Sequence, residues 1–208
     1  MHAAPATPDD GIAALLRGGT AQAHRNAERS PFVIKLLRGE AGVPALTAFL
    51  AQLLPVYEAM EERLRAGGDD PVLGPVVLPD LYRVDALRAD LETLNGHDTP
   101  ITAETQALVD RVRSNTATQL VAHAYTRYLG DLSGGQTIGA AIVKRYGVEP
   151  LAFFDFSHID DHSAYKDMYR SRLDGLPLDA DGVNEIVSEA ILAFDMNRDL
   201  MTSVLGLV

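Results

Sequence analysis

The sequence predicts an all-α protein, a single-domain multi-helix bundle, and three observations lead there. Apolar residues recur at i, i+3, i+4 spacing along most of the chain, without the period-two alternation of half-buried strands. At 208 residues and 47% apolar, the chain can bury one sizeable core. No repeat, low-complexity tract or linker divides it, so 1–208 reads as one domain with a flexible tail over 1–8.

The elements follow in order. Thr7 and Pro8 suit a helix start, and the pattern runs through Leu15 and Leu16 towards Ser30, where Pro31 ends it. Gly18-Gly19 is expected to weaken or break this helix, with Thr20 available to cap a second start. From Val43 to Ala66, apolar residues such as Leu46, Phe49, Leu50, Leu53 and Tyr57 mark a long helix that Pro55 should kink. Gly67 to Pro71, Gly74-Pro75 and Pro79 read as loops. A helix from Asp80 to Leu94 aligns Leu81, Val84, Leu87 and Leu91, and Asn95-Gly96 stops it. The next helix is expected to run from about Glu104 through Leu108, Val109 and Val112 to a central run, which continues to Tyr146-Gly147. Asp160 to Leu173 and Asp181 to Leu205 supply two more.

Charge and composition remove several classes of function. A net charge of −11 argues against nucleic acid, whose phosphates need a basic face. With no cysteine, disulfides, iron–sulfur clusters and thiolate zinc sites are excluded. The first ten residues lack a basic region followed by an apolar one, so no secretory signal is read. No run approaches the ~20 apolar residues of a membrane span. The expectation is a soluble, cytoplasmic monomer with no membrane partner.

The chain is organised around Ala124 to Gln136, which reads AYTRYLGDLSGGQ. It begins as a helix and then carries Gly130, Gly134 and Gly135. Three helix-interior glycines cost about 2–3 kcal/mol against alanine. Gly130 and Gly134 stack on one face and leave a strip of bare backbone that something flat can approach. A helix bend or tight helix packing would explain one pair of glycines. With Tyr125, Arg127, Tyr128 and Asp131 around the strip, a site is the better reading. The pentapeptide LSGGQ also occurs in transport ATPases, but that reading requires G-x-x-x-x-G-K-[ST], and no Gly-Lys pair exists here.

Other candidates are weaker alone. His158 and His162 have the i, i+4 spacing of a helical metal pair, yet the several Glu-x-x-His repeats of a di-metal bundle are missing. A solvated helix start suits them better. His24 sits between the small residues Ala23 and Ala27, with Glu28 one turn later, where a carboxylate can fix the imidazole tautomer of a metal-bound histidine. A surface His–Glu pair is the plainer alternative. Lys166, Tyr169 and Arg170 share a helix face suited to paired carboxylates. The last helix contributes Phe194 and Asn197. His123 reads as structural.

Together these parts resemble the heme oxygenases. The run Ala124 to Gln136 is similar to that family's distal-helix signature almost letter for letter, and His24 to Glu28 to its proximal His-x-x-Ala-Glu. Lys166 to Arg172 resembles the propionate-binding segment, Ala193 to Asn197 the final pocket helix, and Leu54 to Tyr57 the helix bringing a tyrosine to the distal side. Order and spacing agree over almost the whole length. The family often carries a second basic residue one turn before the ligand, where this chain has Ala21.

The resemblance implies heme b, as both cofactor and substrate, sandwiched between a proximal helix and a glycine-kinked distal helix, with O2 as co-substrate and no separate metal site. It makes His24 the axial iron ligand and Glu28 its supporting carboxylate. Gly130 and Gly134 would lie over the opposite face beside Tyr125, Ser133 and Phe194. Arg17, Lys166, Tyr169 and Arg170 would surround the propionates. Asp131, supported by Arg127 and Tyr57, would manage protons through a held water. The implied products are biliverdin, CO and ferrous iron, with electrons from a ferredoxin or flavin reductase. Arg17, Arg25, Arg29 and Lys35 would offer such a donor a basic patch. Two alternatives stand beside this: a non-catalytic heme carrier on the same fold, and a thiamin-degrading bundle, which needs the cysteine this chain lacks.

Overall fold

A computed structural model describes residues 11–208; the expected start at Thr7 and Pro8 and the tail over 1–8 lie outside them. Helix α1 spans Ile12–Glu28. Its first turn is capped from across the fold, where Asp174 Oδ1 accepts Ala13 N–H at 2.8 Å. Gly18-Gly19 does not break it. A Cβ at Gly19 would lie 2.6 Å from Val187 Cγ1, so the missing side chain lets a neighbouring helix approach. Thr20 does not cap a new helix; its hydroxyl donates to the Leu16 carbonyl within the same one, at 2.7 Å.

Pro31, expected only to end a helix, begins α2 (Pro31–Arg38). Ser30 caps it by accepting from Val33 N–H, Pro31 sits in the first turn where its missing donor is harmless, and Gly39 closes it at φ 78°. Helix α3 (Gly42–Ala66) carries Pro55 in its interior without ending there. By length and mean hydropathy (1.3 over its most apolar window) α3 is apolar enough to cross a membrane, contrary to the reading of the sequence. About two thirds of that window (67%) is buried, and α3 serves as the core helix.

Pro79–Leu81 forms a separate 3₁₀ turn, so α4 covers Val84–Thr93 rather than starting at Asp80. Glu61 of α3 accepts the N–H groups of Arg83 (2.6 Å) and Val84 (3.1 Å), replacing the missing cap. The helical stretch expected from Glu104 to Tyr146 is divided. Helix α5 (Ala103–Ser114) stops at Asn115, and Thr116 with Gln119 forms a reciprocal capping box that starts α6 (Ala117–Gly130). Asp131–Gly135 then winds as a π-helical turn before α7 (Gln136–Tyr146). A 3₁₀ turn at Ala152–Phe154 leads to α8 (His162–Asp174), and α9 is Ala180–Val204. Among the described residues there is no strand.

Helix α9 packs along both α1 and α6, while α3 packs on α4 and α5. Tyr57, Tyr128, Tyr169, Phe32 and Phe156 are the largest side chains fully enclosed between these layers. Each such burial contributes roughly 1.5–3 kcal/mol, so a few of them outweigh the glycines in α1 and the distal turn.

Candidate active site

A cavity of about 740 Å³ opens between α1 on one side and α6 with the π turn on the other. That volume suits a large small-molecule ligand. His24 lines the α1 wall with about half of its side chain (51%) exposed. Its Nδ1 lies 3.6 Å from Glu28 Oε2, one turn on, and its ring meets the edge of Phe194 at 5.5 Å. With Nδ1 turned to the carboxylate, Nε2 is the nitrogen available to a metal.

The opposite wall is the glycine run, and its glycines serve a different purpose from Gly139 in α7. At Gly130 a Cβ would meet nothing within 4 Å, and at Gly134 only Ile138 Cδ1 at 3.9 Å. These two border the open cavity. At Gly139 a Cβ would come within 2.7 Å of Phe154 Cβ, so that glycine admits an aromatic ring. The π turn follows from the same residues: a wider turn inserted in a helix is tolerated where propensity is low and a site must be shaped.

Asp131, at the start of that turn, lines the cavity and accepts a 2.5 Å hydrogen bond from Tyr57 O–H. Burial raises its pKa from 3.8 to about 6, against the opposing pull of the Tyr57 hydrogen bond, Arg127 and Arg83. Burial, and next the charge of Asp131, push the Tyr57 phenol far up, so it stays protonated and keeps the proton it donates to Asp131. Arg127 is buried, with its guanidinium 5.3 Å from the Tyr57 ring centroid and a long 3.5 Å hydrogen bond to Asn197 Oδ1. Its partners are therefore Tyr57 and Asn197, and its effect on Asp131 is through the field.

The remaining predicted residues divide. Arg17, Tyr125, Ser133, Arg170 and Phe194 line the cavity with those above. Arg170 also donates to Asp167 Oδ1 at 2.6 Å. Lys166 and Tyr169 do not line it. Tyr169 is fully buried with its hydroxyl unpartnered, because its i+4 neighbour Leu173 and the core claim that side of α8. Tyr128 likewise turns away from the glycine strip, stacking beside Tyr82 at 6.4 Å. His158 and His162 are hydrogen-bonded to separate carbonyls, Asp80 O and Phe156 O.

His123 is fully buried in α6, where Nε2 meets Glu189 Oε1 at 2.9 Å, and Glu189 also takes a forked pair of hydrogen bonds from Arg111. Burial opposes the charge on Glu189, but these hydrogen bonds and charges hold its pKa at about 2. The group ties α5, α6 and α9 behind the site. Phe153, Phe154 and Thr20 also line the cavity and were not anticipated. The two phenylalanines lie in an irregular segment without periodicity, where only the adjacent aromatic pair hinted at them.

These features define a helical protein with a large cavity between a histidine and bare backbone. A family profile described as heme oxygenase matches residues 10–203. Heme oxygenase 1 of Synechocystis is 38% identical over 94% of this chain and 85% of its own length. The crystal structure of the Synechocystis heme oxygenase-1 in complex with heme superposes with a TM-score of 0.90, at 37% identity over 95% of this chain and 93% of that one. The Synechocystis heme oxygenase-2 in complex with heme and NO gives 0.88, at 34% identity over 94% and 85%. The chain belongs to the heme oxygenase family and is an enzyme of that class.

Proposed function

We propose that this protein binds heme in the α1/α6 cavity and opens its ring at a meso carbon, using O2 and electrons from a ferredoxin or flavin reductase. The products on this reading are biliverdin, CO and ferrous iron. Heme, when bound, supplies both the iron that activates oxygen and the ring that is oxidised. The chain's own residues do the rest. His24 Nε2 ligates the iron and Glu28 orients the imidazole. Arg17 and Arg170 meet the propionates at the cavity edge, with Lys166 one turn from Arg170 on the same helix.

Gly130 and Gly134 border the cavity opposite His24 with bare backbone, and would leave room there for a small ligand that a side chain would exclude. Asp131 accepts the Tyr57 hydroxyl, leaving its other oxygen to hold a water at the distal face and pass a proton through it. With a pKa of about 6, it is ionised at neutral pH yet close enough to accept and return a proton. Tyr57 holds that carboxylate in place, and the charge of Arg127 favours its ionised form. Arg25 on α1, Arg29 at its C-cap and Lys35 on α2, together with Arg17, give an otherwise acidic protein a cationic approach for an acidic electron donor.

The observation that carries this reading is the Asp131–Tyr57 pair beside open backbone, facing a histidine across the cavity. A heme carrier has no need of a proton-handling carboxylate there. The test is to reconstitute the protein with heme, add a reductant in air and follow the Soret band. Its decay, with release of a bilin and CO, is expected. A stable reduced complex that only exchanges heme with an acceptor would establish the carrier instead.

A further inference from the structure

We propose that Asp90, on α4 just behind the cavity lining, is a positioning residue that sets how heme is seated, and so which meso carbon is opened. The inference rests on the heme oxygenase reading above. Asp90 is 4% exposed and has no ion-pair partner among the described residues. Its two oxygens are used separately: Oδ1 accepts Ala152 N–H at 2.7 Å and Oδ2 accepts Phe153 N–H at 2.8 Å. Only a carboxylate can take both, since an amide offers one acceptor and turns a donor to the other.

Those two N–H groups open the 3₁₀ turn Ala152–Phe154, so Asp90 acts as a cap supplied by another helix. The turn carries both unanticipated aromatics of the cavity. Phe153 stands edge-on to Tyr57 at 5.7 Å, with Phe154 at 5.0 Å. Phe154 packs over Gly139, where no side chain would fit, and reaches within 3.6 Å of where a Gly135 Cβ would lie. The same segment is held a second time by Arg83, which donates to Asp155 O at 2.7 Å and lies over the Phe156 ring at 4.0 Å. Because Arg83 keeps the segment attached, loss of Asp90 frees the Phe153–Phe154 wall locally instead of releasing the whole loop. An apolar wall fixes the in-plane rotation of a flat macrocycle by contact, and a mobile wall permits a second seating.

The experiment compares wild type with Asp90→Asn, which keeps one acceptor, and Asp90→Ala, which keeps none. Hydrogen exchange on the heme-free protein should show the Ala152 and Phe153 amides exchanging about tenfold faster or more in Asp90→Ala, with Asp90→Asn between. Proton NMR of the ferric cyanide-ligated heme complex should show a second set of heme-methyl resonances, in the same order across the series. Chromatography of the bilin should show a second isomer rising with it. A purely structural Asp90 would lower the melting temperature yet leave one set of methyl resonances and one isomer, and that result would overturn the proposal. So would unchanged amide exchange in Asp90→Ala. If wild type seats heme but does not open it, the functional reading falls, while exchange and methyl resonances still decide the role of Asp90.

Discussion

The phenol of Tyr57, on the core helix α3, donates to Asp131 Oδ2 at 2.5 Å across the boundary between core and cavity. One partner is fixed by burial among apolar neighbours, and the other sits at the first residue of the π turn. The carboxylate thus inherits the rigidity of α3 while standing in a segment built of weak helix formers.

Asp131→Ala should keep the fold and heme binding but lose ring opening. Without a carboxylate to hold water, peroxide added to the ferric complex is expected to drive oxidation of guaiacol, which wild type should barely support. An undiminished bilin yield from the variant would make this carboxylate structural.

The pKa of Asp131 also predicts a pH dependence of stability. Its folded value, about 6, lies above the ordinary 3.8, so the folded chain binds a proton more tightly than the unfolded one. Wild type therefore loses stability as pH rises from about 4 to 6, by up to about 3 kcal/mol. Asp131→Asn lacks that loss, and should gain on wild type over this window in heme-free melts. Parallel pH curves for the two proteins would refute the assignment.

His24→Ala should lose the axial-histidine spectrum of the heme complex and its ring-opening activity. Added imidazole, entering the space left beside Ala23 and Ala27, should restore part of both. If the variant kept the wild-type axial spectrum, another histidine would be the ligand. His123 is an implausible substitute, since it is fully buried and hydrogen-bonded to Glu189.

The distal glycines should respond in opposite ways. Gly130→Ala meets open space, so the heme-free protein should gain about 0.5–1 kcal/mol of helix stability while heme or its diatomic ligand binds less well. Gly139→Ala drives a methyl to within 2.7 Å of Phe154 Cβ and should destabilise by about 1–3 kcal/mol. Urea titrations with and without heme separate the two. Equal destabilisation by both would contradict the division of roles.

Much of the site was legible in the sequence because its chemistry lies in contiguous runs. His24 and Glu28 share one helix turn, and Asp131 follows Gly130 directly. The misses have physical causes. Gly18-Gly19 looked like a break because propensity is local, whereas the compensating contact with Val187 comes from a helix more than a hundred residues away. Ser30-Pro31 fits the end of one helix and equally the start of the next, Ser as cap and Pro in the first turn. Thr116 and Gln119 spell a capping box that the apolar pattern around them hid. Tyr169 shares the spacing of Lys166 and Arg170, but spacing alone did not tell which side of α8 faces the core. Nothing near Phe153 in sequence points to Asp90, since that contact is purely tertiary.

Helices α1 and α6 carry the two jaws of the cavity, yet both lean on α9 and have little direct contact with each other. The gap between His24 and the bare backbone is consequently not a property of either jaw. Helix α9 is the spacer, and its seat against Gly19 sets the thickness of plate that the jaws can grip. In mechanical terms the protein is a vice with a fixed spindle. A substitution that pushes α9 off α1 should retune the aperture while leaving the identity of every residue in the site unchanged.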